Sequence, residues 1–228
     1  MTVAALIPAY REERFIDDVV RRTRAQLPDV LVVDDGSPDR TAALAQAAGA
    51  EVLIHERNLG KGMAIQTGLR DLGTRGVDYV LILDADGQHL PEEIPRFLAA
   101  VAERPDKMLV GNRMHDTRTM PWKRRLTNQF MSSQISLLCG QRVPDSQCGF
   151  RMIHRELIPR LLAASRTGRF DYETEMLILA SWRGERIGAV PITTVYGEET
   201  SSIHPVRDGA RFFRLMARYW WKKLRAAR

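Results

Sequence analysis

The stretch Val77–Pro91, VDYVLILDADGQHLP, constrains the fold more than any other. Five apolar residues, Tyr79 to Leu83, run directly into Asp84-Ala85-Asp86. A short unbroken apolar run that ends in a charged turn reads as a strand buried on both faces. In an open parallel sheet, the carboxyl ends of such strands are where ligands bind. Asp84 and Asp86 are two residues apart, so on extended chain their side chains point the same way, with the small Ala85 between them. Gly87 permits a sharp turn. Gln88 and His89 then bring further ligand atoms back to the same place. Carboxylates with an amide oxygen suit a hard cation, Mg2+ or Mn2+, shared with substrate phosphates. The bland reading of a D-x-D is a solvated acidic turn, and its place after a buried strand weighs against that.

The same pattern recurs upstream. Val3 to Ile7 reads as a first strand that Pro8 stops, leaving Ala9, Tyr10 and Glu12 at the carboxyl edge. Val30 to Val33 empties into Asp34-Asp35-Gly36-Ser37, with Ser37 and Pro38 placed to start a helix ending at Gly49. Val52 to Ile54 leads into Asn58-Leu59-Gly60-Lys61-Gly62 and another helix. Lys61 there is followed by Gly62 where a phosphate loop needs Ser or Thr. Ile65 stands where a dinucleotide fingerprint needs its third Gly or Ala. Nucleotide hydrolysis by such a loop and dinucleotide redox chemistry lose support, and Lys61 is left as a cation near a phosphate. Helices are expected over 13–26 and 92–102, with a strand over 108–110 followed by Arg113. Strand and helix alternate to about residue 113, which predicts a doubly wound, mostly parallel α/β sheet of the Rossmann kind.

The second half keeps less strict alternation. A helix is expected over 120–139, opening on Trp122-Lys123-Arg124-Arg125. Residues 145–150, DSQCGF, read as a turn. Residues 170–182 carry Asp171, Glu173 and Glu175 into an apolar helix, and 189–195 is a last strand. The domain is then 1–205, with a nucleotide-binding half 1–113 and an acceptor half 114–205, and 206–228 is a basic amphipathic C-terminal helix.

Charge singles out that tail. The chain of 228 residues has a net charge of +6, and 203–228 holds eight Lys/Arg against one acid, leaving about −1 elsewhere. Phe212, Met216, Tyr219, Trp220 and Leu224 form an apolar stripe beside Arg211, Arg214, Arg218, Lys222 and Arg225. Aromatics beside cations on a strongly amphipathic helix suit a membrane surface, and docking on the domain is the alternative. No fold signal for nucleic acid accompanies the charge. No apolar run is long enough to span a bilayer. The N-terminus lacks a signal-peptide pattern. Cys139 and Cys148 form no disulfide or metal pattern, as for reduced thiols in a cytoplasmic protein.

Taken together, IPAYREE, VVDDGSPDRT, NLGKG, LDADGQH, GNR, DSQCGFR, FDYETEM and EETSSIHP resemble the family-two inverting glycosyltransferases of the GT-A fold, and among them the polyprenyl-phosphate hexosyltransferases such as dolichol-phosphate mannose synthases. The resemblance implies a hexose moved from a nucleotide diphosphate sugar, of GDP-mannose or UDP-glucose type, to a polyprenyl or dolichyl phosphate. By it, Pro8, Ala9, Tyr10, Glu12, Asp35, Lys61, Asp84 and Ala85 hold the nucleotide, and Asp84, Asp86 and Gln88 hold Mg2+ or Mn2+. Asp86, Arg113, Arg125 and Glu175 are the catalytic set, while Arg124, Asp145 and Ser201 lie on the acceptor side. The protein is then expected on the cytoplasmic face of a membrane, bound peripherally through its C-terminal helix, with a membrane protein or a second copy as further partner. Ser202 stands where the family often has Lys, which removes one cation from the diphosphate. Two alternatives remain at this level. One is transfer to a sugar or protein hydroxyl with Glu173 or Glu175 as base; the other is a non-catalytic nucleotide-sugar or membrane-surface binding module.

Overall fold

The computed structural model describes residues 1–118, 120–165, 167–168, 171–193 and 205–226, with side chains of 209–225 in the last helix. Seven strands form one sheet: β1 Val3–Ala9, β2 Val30–Asp34, β3 Glu51–Ile54, β4 Tyr79–Ile82, β5 Met108–Asn112, β6 Arg151–His154 and β7 Ile187–Pro191. Their order is β3-β2-β1-β4-β6-β5-β7. The α-helices among the described residues are α1 Ile16–Arg24, α2 Thr41–Ala47, α3 Lys61–Leu72, α4 Ile94–Glu103, α5 Trp122–Cys139, α6 Ile158–Ala164, α7 Asp171–Ser181 and α8 Pro205–Ala226. The mixed, mostly parallel sheet is the GT-A arrangement expected from the motifs.

The strands look as their sequences require. Leu6, Ile7, Val32, Val33, Leu81 and Ile82 are fully buried, since helices cover a parallel sheet on both sides. Each such side chain contributes roughly 1.5–3 kcal/mol by leaving water. Pro8 does not end β1, which continues to Ala9 paired with Asp34. The Ala5 amide faces β2, bonding Asp29 O at 2.8 Å. By alternation the Pro8 nitrogen faces β4, which pairs with β1 only as far as Leu6↔Ile82. The proline therefore interrupts no ladder bond.

Where the fold departs from expectation, the cause is β6. Residues 151–154 carry no strand signal strong enough to notice, yet they pair antiparallel with both β4 and β5. β5 therefore does not complete a parallel sheet with β4, and strands from both halves of the chain share one sheet. An antiparallel strand begins where its neighbours end. The 145–150 turn that feeds β6 thus arrives at the carboxyl edge of β4 and β5, beside Asp84 and Arg113. Helix α6 was also unforeseen, and β7 lies two residues earlier than expected at its start, over 187–191. Ser37 does not start α2. Its amide and hydroxyl bond Asp34 at 3.0 and 2.5 Å, and α2 begins at Thr41, whose amide bonds Asp39 Oδ1 at 3.1 Å.

The C-terminal helix is docked by most of the stripe expected to face a lipid surface, from which Leu224 departs by facing outward. Phe212, Met216 and Tyr219, joined by Leu215, are buried against the domain. Lys223 Nζ donates to Leu137 O and Leu138 O at 3.0 and 2.9 Å, closing the end of α5. A second stripe, Phe213, Trp221 and Leu224, faces outward at 60, 57 and 61% exposure. Among the described residues no helix is long and apolar enough to cross a membrane. Neither Cys139 nor Cys148 forms a disulfide.

Candidate active site at the carboxyl edge of the sheet

Asp84 is the centre of the site. Its Oδ1 lies 2.6 Å from Lys61 Nζ, at the start of α3, and that ammonium also sits 3.0 Å from Glu173 Oε2 on α7. Burial alone would raise the Asp84 pKa, but the Lys61 charge, aided by His89 and Arg113, holds it down at about 2. Burial likewise opposes charge on Lys61, yet Asp84 and Glu173 hold its pKa above the ordinary lysine value. Behind Asp84, its own amide donates to His89 Nδ1 at 3.2 Å, which leaves the other ring nitrogen to carry the proton. That nitrogen faces Cys148 Sγ at 3.8 Å. Burial lowers the His89 pKa to about 4, so the ring is neutral at pH 7.

The 145–150 turn shapes the other side. A Cβ on Gly149 would lie 2.6 and 2.8 Å from the two Asp84 oxygens, so only glycine fits against this carboxylate. Arg151, 1% exposed, anchors that turn. Its guanidinium donates to the carbonyls of Cys148 and Ser146 at 2.8 and 2.9 Å and to that of Glu173. One buried arginine thereby ties the turn beside Asp84 to the first turn of α7. Neither Gly149 nor Arg151 was singled out from sequence, although the Cys-Gly-Phe step inside a polar turn was a usable sign of close backbone approach.

Asp86 and Gln88 stand half-buried on the turn after β4, with the Gln88 amide bonding Asp86 Oδ1 at 3.0 Å. Arg124 reaches Gln88 Oε1 from α5 at 3.5 Å. Its neighbour Arg125 is exposed. Among the described residues no group of three His, Cys, Asp or Glu could hold a metal alone. Two carboxylates, an amide oxygen and a cradle kept open by Gly149 do fit a hard cation that completes its shell with substrate phosphates.

The remaining expected residues take distinct places. Pro8 and Ala9 are buried at the end of β1, and Ala9 O accepts from the Asp35 amide at 2.8 Å. Tyr10 is exposed at that edge, and the Glu12 amide bonds Thr41 Oγ1 at 2.9 Å. Asp35 is buried and accepts from His55 Nδ1, Leu59 N and Gly60 N at 2.7, 2.8 and 2.7 Å. Both its oxygens thus shape the loop that delivers Lys61. Arg113 and Asp145 form a buried two-pronged pair, Nε to Oδ2 at 2.7 Å and Nη2 to Oδ1 at 2.9 Å. Ala85 is buried beneath the Asp84–Asp86 turn. Glu175 is fully buried and bonds Tyr219, not the Asp84 corner. Ser201 lies outside the described residues, as do most of the EETSSIHP motif and Ser202.

Comparison with known proteins agrees with this picture. The family described as "Glycosyl transferase family 2" matches residues 4–162. The chain is 32% identical over 214 residues to the UDP-N-acetylglucosamine–dolichyl-phosphate N-acetylglucosaminyltransferase of Methanococcus voltae, covering 85% of each chain. It is 32% identical over 209 residues to the undecaprenyl-phosphate mannosyltransferase of Micrococcus luteus, covering 87% of this chain and 85% of that one. In fold it is similar to glucosyl-3-phosphoglycerate synthase from Mycobacterium tuberculosis, solved with Mn2+, uridine diphosphate and phosphoglyceric acid. The TM-score is 0.73 at 19% identity, over 95% of this chain and 76% of that one.

Proposed function

The chain belongs to glycosyl transferase family 2 and is a glycosyltransferase, and on that footing we propose that it moves a hexose from a nucleotide diphosphate sugar to a polyprenyl phosphate, with inversion and with Mg2+ or Mn2+. The observation that carries this reading is the oxygen set of Asp84, Asp86 and Gln88 at the carboxyl edge of β4, with Arg124 reaching the same Gln88. Those three residues would hold the ion, which when bound acts as Lewis acid on the departing diphosphate.

The protein's own groups do the rest. Lys61 keeps Asp84 ionised and aligned. Tyr10, exposed at the end of β1, offers a face for the base, and Glu12 lies beside it. Arg124 brings positive charge to the phosphates from the acceptor side. The Arg113–Asp145 pair holds the end of β5 to the 145–150 turn, and the Arg113 charge helps keep Asp84 ionised. A phosphate monoester is anionic near neutral pH, so the acceptor needs placement more than deprotonation. The occupied states of the two rival bases support this: Glu173 is paired with Lys61, and Glu175 bonds Tyr219.

The outward stripe Phe213, Trp221 and Leu224, with Arg214, Arg218 and Lys222 alongside, supports peripheral binding to a lipid surface. The test is a panel of labelled UDP- and GDP-sugars offered with undecaprenyl and dolichyl phosphates, with Mn2+ or chelator. Label should enter the lipid fraction only with a polyprenyl phosphate and metal. Transfer to water-soluble sugars with none to lipid would overturn the acceptor assignment.

A further inference from the structure

Two acids of α7, two residues apart, project about 200° apart around the helix. Glu173 turns to Lys61. Glu175 turns the other way, is fully buried, and among the described residues accepts from four donors. Tyr219 OH of α8 meets its Oε1 at 2.8 Å. Ser165 Oγ, Thr167 N and Thr167 Oγ1 meet its Oε2 at 2.7, 3.1 and 2.8 Å. The residues it gathers are themselves bonded to the first turns of α3. Gln66 Nε2 donates to Thr167 O, and Met63 N to Gly168 O, each at 2.8 Å. Lys61 is the first residue of that helix. One carboxylate therefore joins α7, α8 and the start of α3, the elements that carry Glu173, the C-terminal docking stripe and Lys61.

We propose that Glu175 is a positioning residue: it sets the rotation of α7 and the seat of α3, so that Glu173 and Lys61 close on Asp84, and through Tyr219 it makes the docked C-terminal helix part of the catalytic apparatus. A general base has to reach the acceptor, whereas Glu175 exposes no surface and spends both oxygens on protein donors. Placement errors near 1 Å at a reacting centre are enough to cost on the order of 10²-fold in rate. The proposal rests on the reading in which the Asp84 corner handles the donor diphosphate.

The test compares Tyr219→Phe, Glu175→Gln, Glu173→Gln and the double variant Glu173→Gln/Glu175→Gln, each shown folded by near-UV circular dichroism. Transfer kinetics are taken across pH 5.5–9. Tyr219→Phe should lower kcat about fivefold and Glu175→Gln about 20-fold, with donor KM within about twofold. The shape of the pH profile should not change. The double variant should lose no more than about twofold beyond Glu173→Gln, because Glu175 acts through the Glu173–Lys61 pair that this substitution already breaks. Loss of the acidic limb in Glu175→Gln would make it a base. Unchanged kcat in both folded single variants, or additive losses in the double, would equally overturn the proposal. Should the wild type transfer no sugar to any polyprenyl phosphate, the functional reading fails separately. Hydrogen exchange at the Met63 amide then decides, since it should quicken in Tyr219→Phe and Glu175→Gln, and unchanged protection sinks the inference.

Discussion

Lys61 and Asp84 meet at 2.6 Å where β4 ends, so the acid at the heart of the site already has a cation. Glu173 shares that cation at 3.0 Å. Lys61→Met strands two mostly buried carboxylates side by side. It should destabilise the fold by about 3 kcal/mol in urea unfolding, the lower end for a broken buried pair because some solvent reaches both partners. Mn2+ should then raise the melting temperature of the variant more than that of the wild type, by replacing the missing charge. An equal rise in both would place the ion away from Asp84.

Asp86 is half-buried, and its carboxylate accepts the Gln88 amide on a surface turn. Asp86→Ala should therefore leave the fold within about 1 kcal/mol of wild type. Sugar transfer should fall by on the order of 10²-fold or more, because the charge on the departing diphosphate loses its counterion. A near-normal rate in Mn2+ would take the metal off this residue.

Gly149 leaves no room for a methyl group beside Asp84. In Gly149→Ala either the carboxylate or the 145–150 turn has to move. Overpacking of this kind costs about 1–3 kcal/mol. The sharper effect should be on Mn2+-dependent nucleotide binding, read by calorimetry, with weakening of about tenfold. Unchanged affinity would show that the Asp84 carboxylate can shift without consequence for ligand.

Much of the architecture could be read from residue order because buried parallel strands have a plain signature. Val30 to Val33 before Asp34, and Tyr79 to Leu83 before Asp84, announce both the strand and the edge where it ends. β6 gave no such sign. It is four residues long, begins with the charged Arg151, and its direction is decided by neighbours distant in sequence. Missing it hid how Gly149 and Asp145 come to lie beside Asp84 and Arg113. The two glutamates of FDYETEM look equivalent in a string of letters, and only the phase of α7 separates a partner for Lys61 from a partner for Tyr219. The tail carries two apolar stripes one residue out of step, so periodicity could not tell which would dock.

Those two stripes predict opposite outcomes. Replacing Phe213 and Trp221 with Ser should leave stability within about 0.5 kcal/mol and reduce binding to anionic vesicles severalfold, measured by sedimentation. Binding that remains should weaken as salt rises. Phe212→Ser and Met216→Ser, on the docked side, should instead cost about 2–4 kcal/mol each in unfolding experiments. Vesicle binding indifferent to the outer pair would rule out that face as the membrane contact.

Burial pushes the Cys148 thiol up to about 12 and the Cys139 thiol to about 11. A folded-state pKa above the unfolded one adds stability that is complete below the unfolded value and drains away as pH rises past it. Between pH 8.5 and 10, the Cys148 contribution should fall by about 1.6 kcal/mol. The stability of Cys148→Ala should decline less steeply over that range by this amount. Identical slopes would mean that the thiol titrates normally in the fold.

The insertion of β6 between β4 and β5 also bears on how the enzyme is made. β5 has no pairing partner among the first 113 residues, because its neighbours are β6 and β7. As the chain leaves the ribosome, β1 to β4 can associate early, while β5 waits for the segment ending at His154. Until then β4 offers an open edge to any stray strand. The proposed sugar-nucleotide site is thus a late product of synthesis, and a fragment cut after residue 113 would be prone to clump.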